Sequence, residues 1–394
     1  MENRICLSTP TIHGEEQGFI QESFDKNWIG PLGFNCDGFE AEMASYLRSC
    51  GNGYEPQLHT FASNSGTSAL HLAVKLAGET LYGKPETGHG ILEGKRVFCS
   101  DMTFAATLNP VTYEGGVQVF VDSERETWNM DPAALEKAFE KYPEARVVVL
   151  VHLYGTPAKM DEITEICRAH NAILIEDAAE ALSSTYKGRA CGTFGDLAAF
   201  SFNGNKIITS SCGGMLICPE REQRDKAFFW ATQAREKFPW YEHKELGYNY
   251  RMSNILAGIG RGQLLHLEEH RARKEEIYRR YEAGLKDLPL RMNPYLPDSR
   301  PNFWLSCILL EEGCGVSYMD LMNRLAQNNV ESRPIWKPMH LQPYYADRDF
   351  ITASEKPVNE DIFSRGLCIP SDIKMTAEEQ DYVIALLHDC LQCS

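Results

Sequence analysis

An acid at the end of an apolar strand and a lysine in a later polar loop are the residues of this chain best suited to chemistry. The predicted strand 172–176 leads into Asp177, and the segment 195–206 ends in Lys206 within a loop flanked by glycine. A carboxylate can keep a pyridinium nitrogen protonated, and a lysine amine can form a Schiff base with an aldehyde. Ser201, shortly before the lysine, can offer its hydroxyl to a phosphate. This order of residues predicts a site for pyridoxal 5'-phosphate (PLP).

A turn of small polar residues at 64–70 could bind the phosphate of such a cofactor. Gly66 permits a tight turn, and Thr67 and Ser68 offer backbone N–H groups and hydroxyls at a helix start. The same residues make an ordinary helix cap, which the segment alone favours. Phe104, at the end of the next predicted strand, could stack on a pyridine face or belong to the core.

Length and charge limit the class of protein. The chain has 394 residues, enough for a large domain and a smaller one. Its formal net charge of −16 argues against nucleic acid or an anionic membrane as a general partner. No apolar run is long enough to span a bilayer, and the N-terminus lacks the apolar core of an export signal. The 13 cysteines are scattered and odd in number, so reduced thiols in the cytoplasm are expected.

Two short patterns resemble metal-binding motifs. Cys390 and Cys393 form a single pair, with no second pair at the spacing of a zinc finger. His266, Glu269 and His270 match an H-x-x-E-H pattern, but they lie in a segment crowded with Glu, Arg and Lys. The expected structures are ordinary thiols and a solvated helix face, and no metal ligand is predicted.

Apolar strands alternate with helices from about residue 59. The predicted strands are 59–63, 96–100, 117–121, 147–151 and 172–176, and the predicted helices between them are 67–77, 105–113, 132–142 and 160–170. Continuously apolar strands that alternate with helices indicate a mostly parallel sheet covered on both faces. The chain is therefore expected to be an α/β protein.

The pattern changes in the second half of the chain. A helix is predicted over 221–236, a long helical segment over about 253–285, and a strand over 304–310. Ser317 and Thr376 are predicted caps of later helices. The expected division is a large PLP-binding domain over 1–260, which includes an N-terminal substrate loop, and a small C-terminal domain over 261–394, which includes the long connecting helix.

Taken together, these motifs resemble the DegT/DnrJ/EryC1/StrS nucleotide-sugar aminotransferases over about residues 5–390. The motifs that carry the resemblance are 27–33, 65–70, 176–179, 194–202, 205–206, 213–215 and 246–253. The resemblance implies a PLP-dependent transferase of fold type I, the aspartate aminotransferase-like architecture, with a large mostly parallel sheet domain and a small C-terminal α/β domain.

Some segments are similar to a narrower group, the UDP-N-acetylbacillosamine-pathway 4-aminotransferases. These segments are 154–163, 176–182, 203–209, 232–236 and 333–340. The similarity implies transfer of an amino group from L-glutamate to C4 of a UDP-linked 4-keto-6-deoxy-N-acetylhexosamine, which gives a UDP-4-amino sugar for glycan biosynthesis. The family often has His or Gln at the position of Glu180, whereas the bacillosamine group has Glu there, as this chain does. Ser211 and Cys212 stand where Gly is common.

The resemblance implies roles around the cofactor ring. Lys206 binds the cofactor covalently and then acts as base and acid in the 1,3-proton shift. Asp177 binds the pyridinium nitrogen, Phe104 stacks on the ring, and Glu180 lies near the ring edge.

The resemblance also implies how the phosphate is held. Thr67, Ser68 and Ser201 bind it from the same chain. Asn249 reaches the phosphate of the neighbouring subunit's cofactor, which implies a homodimer with shared active sites.

Contacts to the nucleotide sugar are expected from Trp28, Ile29, Arg333, Trp336 and His340. Trp336 as a core residue and Arg333 in a surface ion pair are alternatives that the sequence leaves open.

Other activities fit parts of this pattern. A GDP-perosamine-type 4-aminotransferase or a dTDP-sugar 3- or 4-aminotransferase shares the same core motifs, because loops recognise base and sugar. A PLP-using sugar dehydratase of this fold replaces the cofactor lysine by His, so Lys206 argues against it. A non-catalytic sugar- or PLP-binding regulator is disfavoured by the intact Lys206, Asp177 and Thr67.

Overall fold

Fifteen strands and twelve α-helices form the described part of the chain, residues 4–50 and 58–392 of a computed structural model. The strands are β1 (His59–Ser63), β2 (Arg96–Ser100), β3 (Val117–Val121), β4 (Val147–Val151), β5 (Ile173–Asp177), β6 (Thr185–Tyr186), β7 (Arg189–Ala190), β8 (Leu197–Ser201), β9 (Gly214–Cys218), β10 (Leu290–Met292), β11 (Ser299–Arg300), β12 (Ser306–Leu310), β13 (Arg333–Pro334), β14 (Asp349–Ile351) and β15 (Gly366–Ile369). The helices are α1 (Glu15–Asp25), α2 (Phe34–Ser49), α3 (Gly66–Tyr82), α4 (Asn109–Tyr113), α5 (Pro132–Lys141), α6 (Met160–Ala169), α7 (Arg221–Ala231), α8 (Asn254–Leu264), α9 (Leu267–Gly284), α10 (Tyr318–Gln327), α11 (Val358–Arg365) and α12 (Ala377–Gln392).

An eight-stranded sheet in the order β1-β9-β8-β5-β4-β2-β3-β14 is the centre of the molecule. Strand β9 is antiparallel to both of its neighbours, and every other pairing in this sheet is parallel. The register places Val151 of β4 opposite Asp177 of β5. The carboxyl ends of β2, β4 and β5 therefore meet at one edge, as the alternation of strands and helices predicts.

Helices cover both faces of this sheet, which is why its strands are apolar on both sides. Val147 and Val149 of β4 pack in a cluster with α3 and α7, whereas Val148 and Leu150 pack in a cluster with α5 and α6. Because neighbouring residues of a strand face opposite sides, a strand covered on both faces has no solvent-facing position.

A second, four-stranded sheet in the order β10-β12-β15-β13 lies in the C-terminal part. Its apolar face packs with α9, α10 and α12, and Tyr281 and Leu387 are fully buried there. A large, mostly parallel sheet and a smaller sheet, each packed with helices, are thus both present, and the predicted α/β fold class is confirmed.

Three pairings cross the predicted division between residues 1–260 and 261–394. Ile5 forms a parallel bridge with Val330, β14 adds to the large sheet in parallel with β3, and β11 pairs with β6 in an antiparallel arrangement. The division itself stays a prediction.

Most predicted helix starts lie at the expected residues. Asp131 accepts a hydrogen bond from the Ala133 N–H, and Ser317 accepts one from the Asp320 N–H. Thr376 and Glu379 form the reciprocal bonds of a capping box.

Some predicted elements differ in the structure. The helix expected over 221–236 ends at Ala231, and the segment expected as one helix over 253–285 is two helices joined at residues 265–266. Helices α1 and α2 were not predicted, because their apolar residues do not form a clear stripe. No helix within the described residues is both long enough and apolar enough to cross a membrane.

A close backbone contact joins the start of α3 to β9. A Cβ added at Gly214 would overlap the Ser65 carbonyl oxygen and lie 2.6 Å from the Gly66 nitrogen. Both neighbours are backbone atoms, so neither can rotate away. Only glycine fits at this position.

Replacing Gly214 by alanine is therefore expected to lower the free energy of unfolding by about 1–3 kcal/mol. Urea denaturation followed by circular dichroism measures this change in the free energy of unfolding. Gly18→Ala in α1 is the matched control, because its Cβ would meet nothing within 4 Å, and it should stabilise by up to about 1 kcal/mol. Equal stability of the two variants would contradict the close approach.

Candidate active site

A cavity of about 320 Å³ opens at the carboxyl edge of the large sheet. Its walls come from the residues that follow β1, β2, β5 and β8, and from the C-terminal part of the chain. The lining residues are Ser65, Gly66, Thr67, Leu70, Thr103, Phe104, Ala106, Thr107, Val151, Asp177, Ala179, Glu180, Ser201, Asn203, Asn205, Lys206, Cys212, Gly213, Trp304 and Trp336.

Asp177 is the last residue of β5 and is buried at the floor of this cavity. Its Oδ2 accepts a hydrogen bond of 2.6 Å from the Thr107 hydroxyl, and its Oδ1 accepts one of 3.1 Å from the Ala179 N–H. Burial raises the pKa of the Asp177 carboxyl, while the bond from Thr107 and the charge of Lys206 oppose that rise. A cationic ring nitrogen would remove most of this burial cost, because an opposite charge stabilises the carboxylate.

Lys206 is held between a carboxylate and an aromatic ring. Its Nζ lies 3.5 Å from Oε1 of Glu180 and 4.2 Å from the centre of a Trp304 ring. Trp304 is itself fixed, because its Nε1–H donates a 2.7 Å hydrogen bond to the Asn205 carbonyl. Asn205, which precedes the lysine in sequence, therefore fixes Trp304 of the C-terminal part, and Trp304 in turn positions Lys206.

Glu180 is buried beside the lysine. Its Oε2 accepts a 2.7 Å hydrogen bond from the Tyr154 N–H. Burial raises the pKa of Glu180, and the charge of Lys206 partly offsets that effect. The position agrees with the predicted place at the edge of a bound ring.

The start of α3 forms one end of the cavity. Ser65 is the N-cap, and its hydroxyl accepts the Ser68 N–H, while the Ser68 hydroxyl accepts the Ser65 N–H. Gly66 lies against Ser201, and a Cβ there would be 2.8 Å from the serine Cβ. The first N–H groups of a helix have no partner within it, so Gly66 and Thr67 offer an anion site here.

Ser68 does not take the predicted place at this end. Its hydroxyl and N–H are both used in the cap, its side chain is buried, and it does not line the cavity. The helix-cap alternative is therefore correct for Ser68. Thr67 and Ser201 line the cavity, and their contact to a phosphate stays a prediction.

Phe104 lies at the mouth of the cavity and is 56% exposed, so its ring is available to stack on a bound group rather than buried in the core. Its ring centre lies 5.4 Å from that of Trp336. Trp336 also stacks on Tyr154, and its Nε1–H is buried without a hydrogen-bond partner. An unpaired buried donor beside a cavity is costly unless a ligand supplies the acceptor.

A second cavity of about 560 Å³ adjoins the first. The two cavities share the lining residues Asn205, Trp304 and Trp336. Arg333 and Lys337 bring positive charge to the second cavity, and the Arg333 side chain is 67% exposed with a 3.1 Å ion pair to Glu331. Arg333 therefore forms the surface ion pair that the sequence left open and also lines a cavity, while its contact to a nucleotide sugar stays a prediction.

Four other predicted residues do not line either of these two cavities. Trp28 and Ile29 lie on the exposed loop between α1 and α2. Asn249 is exposed, and its carbonyl accepts a 3.0 Å hydrogen bond from the Asn64 side chain. No contact of these three residues to the cavity of their own chain is formed among the described residues.

His340, the fourth of these residues, is a support for the cavity wall rather than part of it. Its Nδ1 and backbone N–H bond to the buried Asp101 at 2.7 and 2.8 Å, and its Nε2 lies 3.2 Å from Glu360. Burial lowers the pKa of His340, but Asp101 and Glu360 outweigh it and raise the pKa overall. With both ring nitrogens engaged, His340 has none left for a substrate.

Thr107 and Trp304 are site residues that sequence reasoning missed. Thr107 lies on the short helical turn after Phe104, and its spacing from Thr103, one turn earlier, was the available signal. Trp304 carried no local signal, because its contact with Lys206 joins residues 98 positions apart in separate layers.

The residues present fit PLP. The buried Asp177 carboxylate lies at the floor, and the Lys206 amine lines the same cavity. A helix start with Gly66 and Thr67 forms an anion site at the other end, and Phe104 is available to cover the ring. When bound, PLP supplies an electron-withdrawing ring that stabilises negative charge on a carbon next to nitrogen.

Comparisons with known proteins agree with this geometry. The sequence model described as the DegT/DnrJ/EryC1/StrS aminotransferase family matches residues 10–388. EpsN of Bacillus subtilis (strain 168), named as a pyridoxal phosphate-dependent aminotransferase, is 44% identical over 98% of this chain and 96% of EpsN. A GDP-perosamine synthase of Caulobacter vibrioides is 35% identical over 98% of both chains.

A solved structure extends the similarity to the fold. The aminotransferase TlmJ from Streptoalloteichus hindustanus superposes with a TM-score of 0.85 over 99% of both chains, at 26% identity. The chain therefore belongs to the DegT/DnrJ/EryC1/StrS aminotransferase family and is a PLP-dependent sugar aminotransferase.

Proposed function

We propose that this enzyme moves an amino group from L-glutamate to C4 of a UDP-linked 4-keto-6-deoxy-N-acetylhexosamine, giving a UDP-4-amino sugar for glycan biosynthesis. The carrying observation is the pair of adjoining cavities, one with Lys206 and Asp177 and one with Arg333 and Lys337. The first suits the amino-transfer chemistry, and the second offers cations to a diphosphate. The choice of UDP rests on the similarity of five segments to the bacillosamine-pathway group.

The side chains of the first cavity divide the chemistry. Lys206 Nζ takes a proton from the α-carbon of glutamate and, in the second half-reaction, delivers one to C4 of the sugar. Asp177 holds a proton on the ring nitrogen by its charge. Glu180 and Trp304 hold the Lys206 side chain beside the reacting carbon, and they stabilise its ammonium form once the amine has taken up the proton.

The second cavity would take the nucleotide end of the substrate. Arg333 can leave its exposed pair with Glu331 and bind a phosphate oxygen, since a guanidinium forms paired hydrogen bonds with phosphate. The unpaired Trp336 Nε1–H lies between the two cavities and suits an acceptor on the sugar. The sugar would then lie across Trp336, with C4 towards Lys206.

A second candidate is amination of a GDP-linked 4-keto sugar. The 35% and 32% identity to proteins named GDP-perosamine synthase favours it. The lysine and carboxylate chemistry is the same for both, so the candidates differ only in the base and the sugar substituents.

We place the enzyme in the cytoplasm, where nucleotide sugars are made.

Product analysis separates these candidates. The holoenzyme is incubated with L-glutamate and UDP-, GDP- or dTDP-linked 4-keto sugars, and the amino sugars are quantified by mass spectrometry. We expect the UDP-linked 4-keto-6-deoxy-N-acetylhexosamine to give the highest kcat/KM. A higher kcat/KM for a GDP-linked sugar would replace the first candidate by the second. Formation of no amino sugar from any of the keto sugars would contradict both candidates.

Arg333→Ala should raise the KM for the nucleotide sugar about tenfold, because a charge-assisted hydrogen bond to phosphate contributes on the order of 1.5–3 kcal/mol. The half-reaction with glutamate alone, followed by the change in visible absorbance, should keep its rate. Arg4→Ala is the matched control, because Arg4 also pairs with Glu331 but does not line this cavity. An equal change of this KM in the two variants would contradict the role of Arg333.

We also propose that the active enzyme is a homodimer whose subunits share their sites. Exposed apolar side chains cluster in two segments, Trp28 to Leu32 and Phe238 to Leu246. Trp240, Tyr241 and Leu246 are each at least 60% exposed, which is unusual for a surface that faces only water. A partner that covers these segments would bring Asn249 to the phosphate end of the other site.

Subunit mixing tests the shared site. Inactive Lys206→Ala and inactive Asn249→Asp chains are refolded or co-expressed together, and heterodimers are confirmed by mass. One intact site per heterodimer is expected, with Lys206 from one chain and Asn249 from the other. Heterodimers without activity would show that Asn249 serves its own chain.

A further inference from the structure

Histidine and glutamate side chains cluster where the N-terminal segment meets the junction of α8 and α9. His13 precedes α1, and His266 and Glu269 lie at the start of α9. One potential ligand atom from each of these three residues lies within 4.8 Å of the others. The expectation of a solvated helix face is wrong here, since His270 is 2% exposed and His266 is packed under His13.

Hydrogen bonds fix the protons on two of the rings. His270 Nδ1 lies 2.8 Å from the Ile207 carbonyl oxygen, which can only accept, so this nitrogen carries the N–H. In the neutral ring Nε2 is then an acceptor, and it lies 2.6 Å from Nε2 of His13. His13 therefore donates from Nε2, and its Nδ1 keeps a free lone pair.

His266 lies between two carboxylates. Its Nε2 is 3.2 Å from Glu15 Oε2, and its Nδ1 is 3.1 Å from Glu269 Oε2. A neutral imidazole has only one N–H, so one of its nitrogens would direct a lone pair at a carboxylate oxygen. A second proton on the ring removes the repulsion, and so does a metal ion placed between those two atoms.

We propose that His13, His266 and Glu269 bind a divalent transition-metal ion of the Zn²⁺ type, with water at the fourth position. Two imidazoles and one carboxylate form a ligand set that suits Zn²⁺, whereas Mg²⁺ and Ca²⁺ prefer oxygen ligands alone. The Glu269 side chain is 70% exposed, which leaves the ion a path from solvent. The net charge of −16 raises the local concentration of cations.

Two neighbouring residues complete the site. His270 accepts the N–H of His13. Glu15 Oε2 lies 3.2 Å from the buried Nε2 of His266 without forming a hydrogen bond, and a small rotation of the Glu15 side chain would let it accept an N–H there. Such outer hydrogen bonds orient metal-binding histidines and increase their basicity. Ligand bonds of about 2.0–2.2 Å need separations of about 3.3 Å between ligand atoms. The rings of His13 and His266 stack at 3.7 Å with planes 5° apart, so the His13 ring must turn about its hydrogen bond to His270 before its Nδ1 can reach an ion that His266 also binds. The exposed Glu269 side chain must rotate as well.

The ion would connect the N-terminal segment to α9. His270 lies between the proposed ion and Ile207, which is the residue after the catalytic lysine. The site does not depend on which sugar the enzyme aminates.

Isothermal titration of the tag-free holoenzyme with Zn²⁺, in the absence of amino acids, tests the proposal. We expect saturable binding of one ion per chain. His13→Ala and Glu269→Gln should each weaken binding about tenfold or more, while His89→Ala, which changes an exposed histidine elsewhere, should not. Circular dichroism and the visible absorbance of the cofactor confirm that each variant is folded and loaded.

X-ray absorption at the zinc edge provides a second measurement. It should show two imidazole nitrogens and light oxygen ligands at about 2.0–2.2 Å, and the Glu269→Gln variant should lose that signature. Absence of saturable binding, or binding that both variants leave unchanged, would overturn the proposal. A spectrum with sulfur ligands would place the zinc on cysteines and overturn it as well.

Discussion

Burial of two carboxylates beside a lysine at one edge of the large sheet is the constraint on which the active site depends. Asp177 and Glu180 are almost without exposure, and Lys206 is the nearby cation. An unpaired buried charge costs several kcal/mol, so each carboxylate must receive hydrogen bonds from fixed donors. Thr107 and the Ala179 and Tyr154 N–H groups supply them. The surrounding turns are rigid because these donors must stay in place.

The same constraint explains which parts of the site could be predicted from sequence. Asp177 ends a strand that the apolar pattern predicted, at the edge where the carboxyl ends of parallel strands converge. Lys206 follows β8, which was not predicted as a strand, and it was assigned from its order after Asp177 and from the glycine-flanked polar loop around it. Thr67 and Gly66 were predicted because a turn between strand and helix has a local signature. Strand bounds such as His59–Ser63 and Val147–Val151 were predicted correctly for the same reason, since continuous burial leaves a continuous apolar run.

Residues whose positions depend on distant contacts could not be predicted. Trp304 supports Lys206 from another layer, and His340 is occupied by Asp101 and Glu360 rather than directed at the cavity. Ser68 has the composition of a phosphate ligand, but only its pairing with Ser65 shows that its hydroxyl is used. Amino-acid type therefore indicated the chemistry available, whereas three-dimensional contacts decided which groups remain free for it.

Strand β14 has a consequence for the synthesis of the protein on the ribosome. It consists of residues 349–351, yet it pairs with β3 and occupies the outer position of the large sheet. Translation proceeds from the N-terminus, so β3 is made long before the strand that covers it. During that interval the apolar strand Val117–Val121 has an unpaired edge, a surface that recruits other chains. Nascent chains of this enzyme therefore need shielding, by a chaperone or by rapid translation, until almost nine-tenths of the sequence has been made.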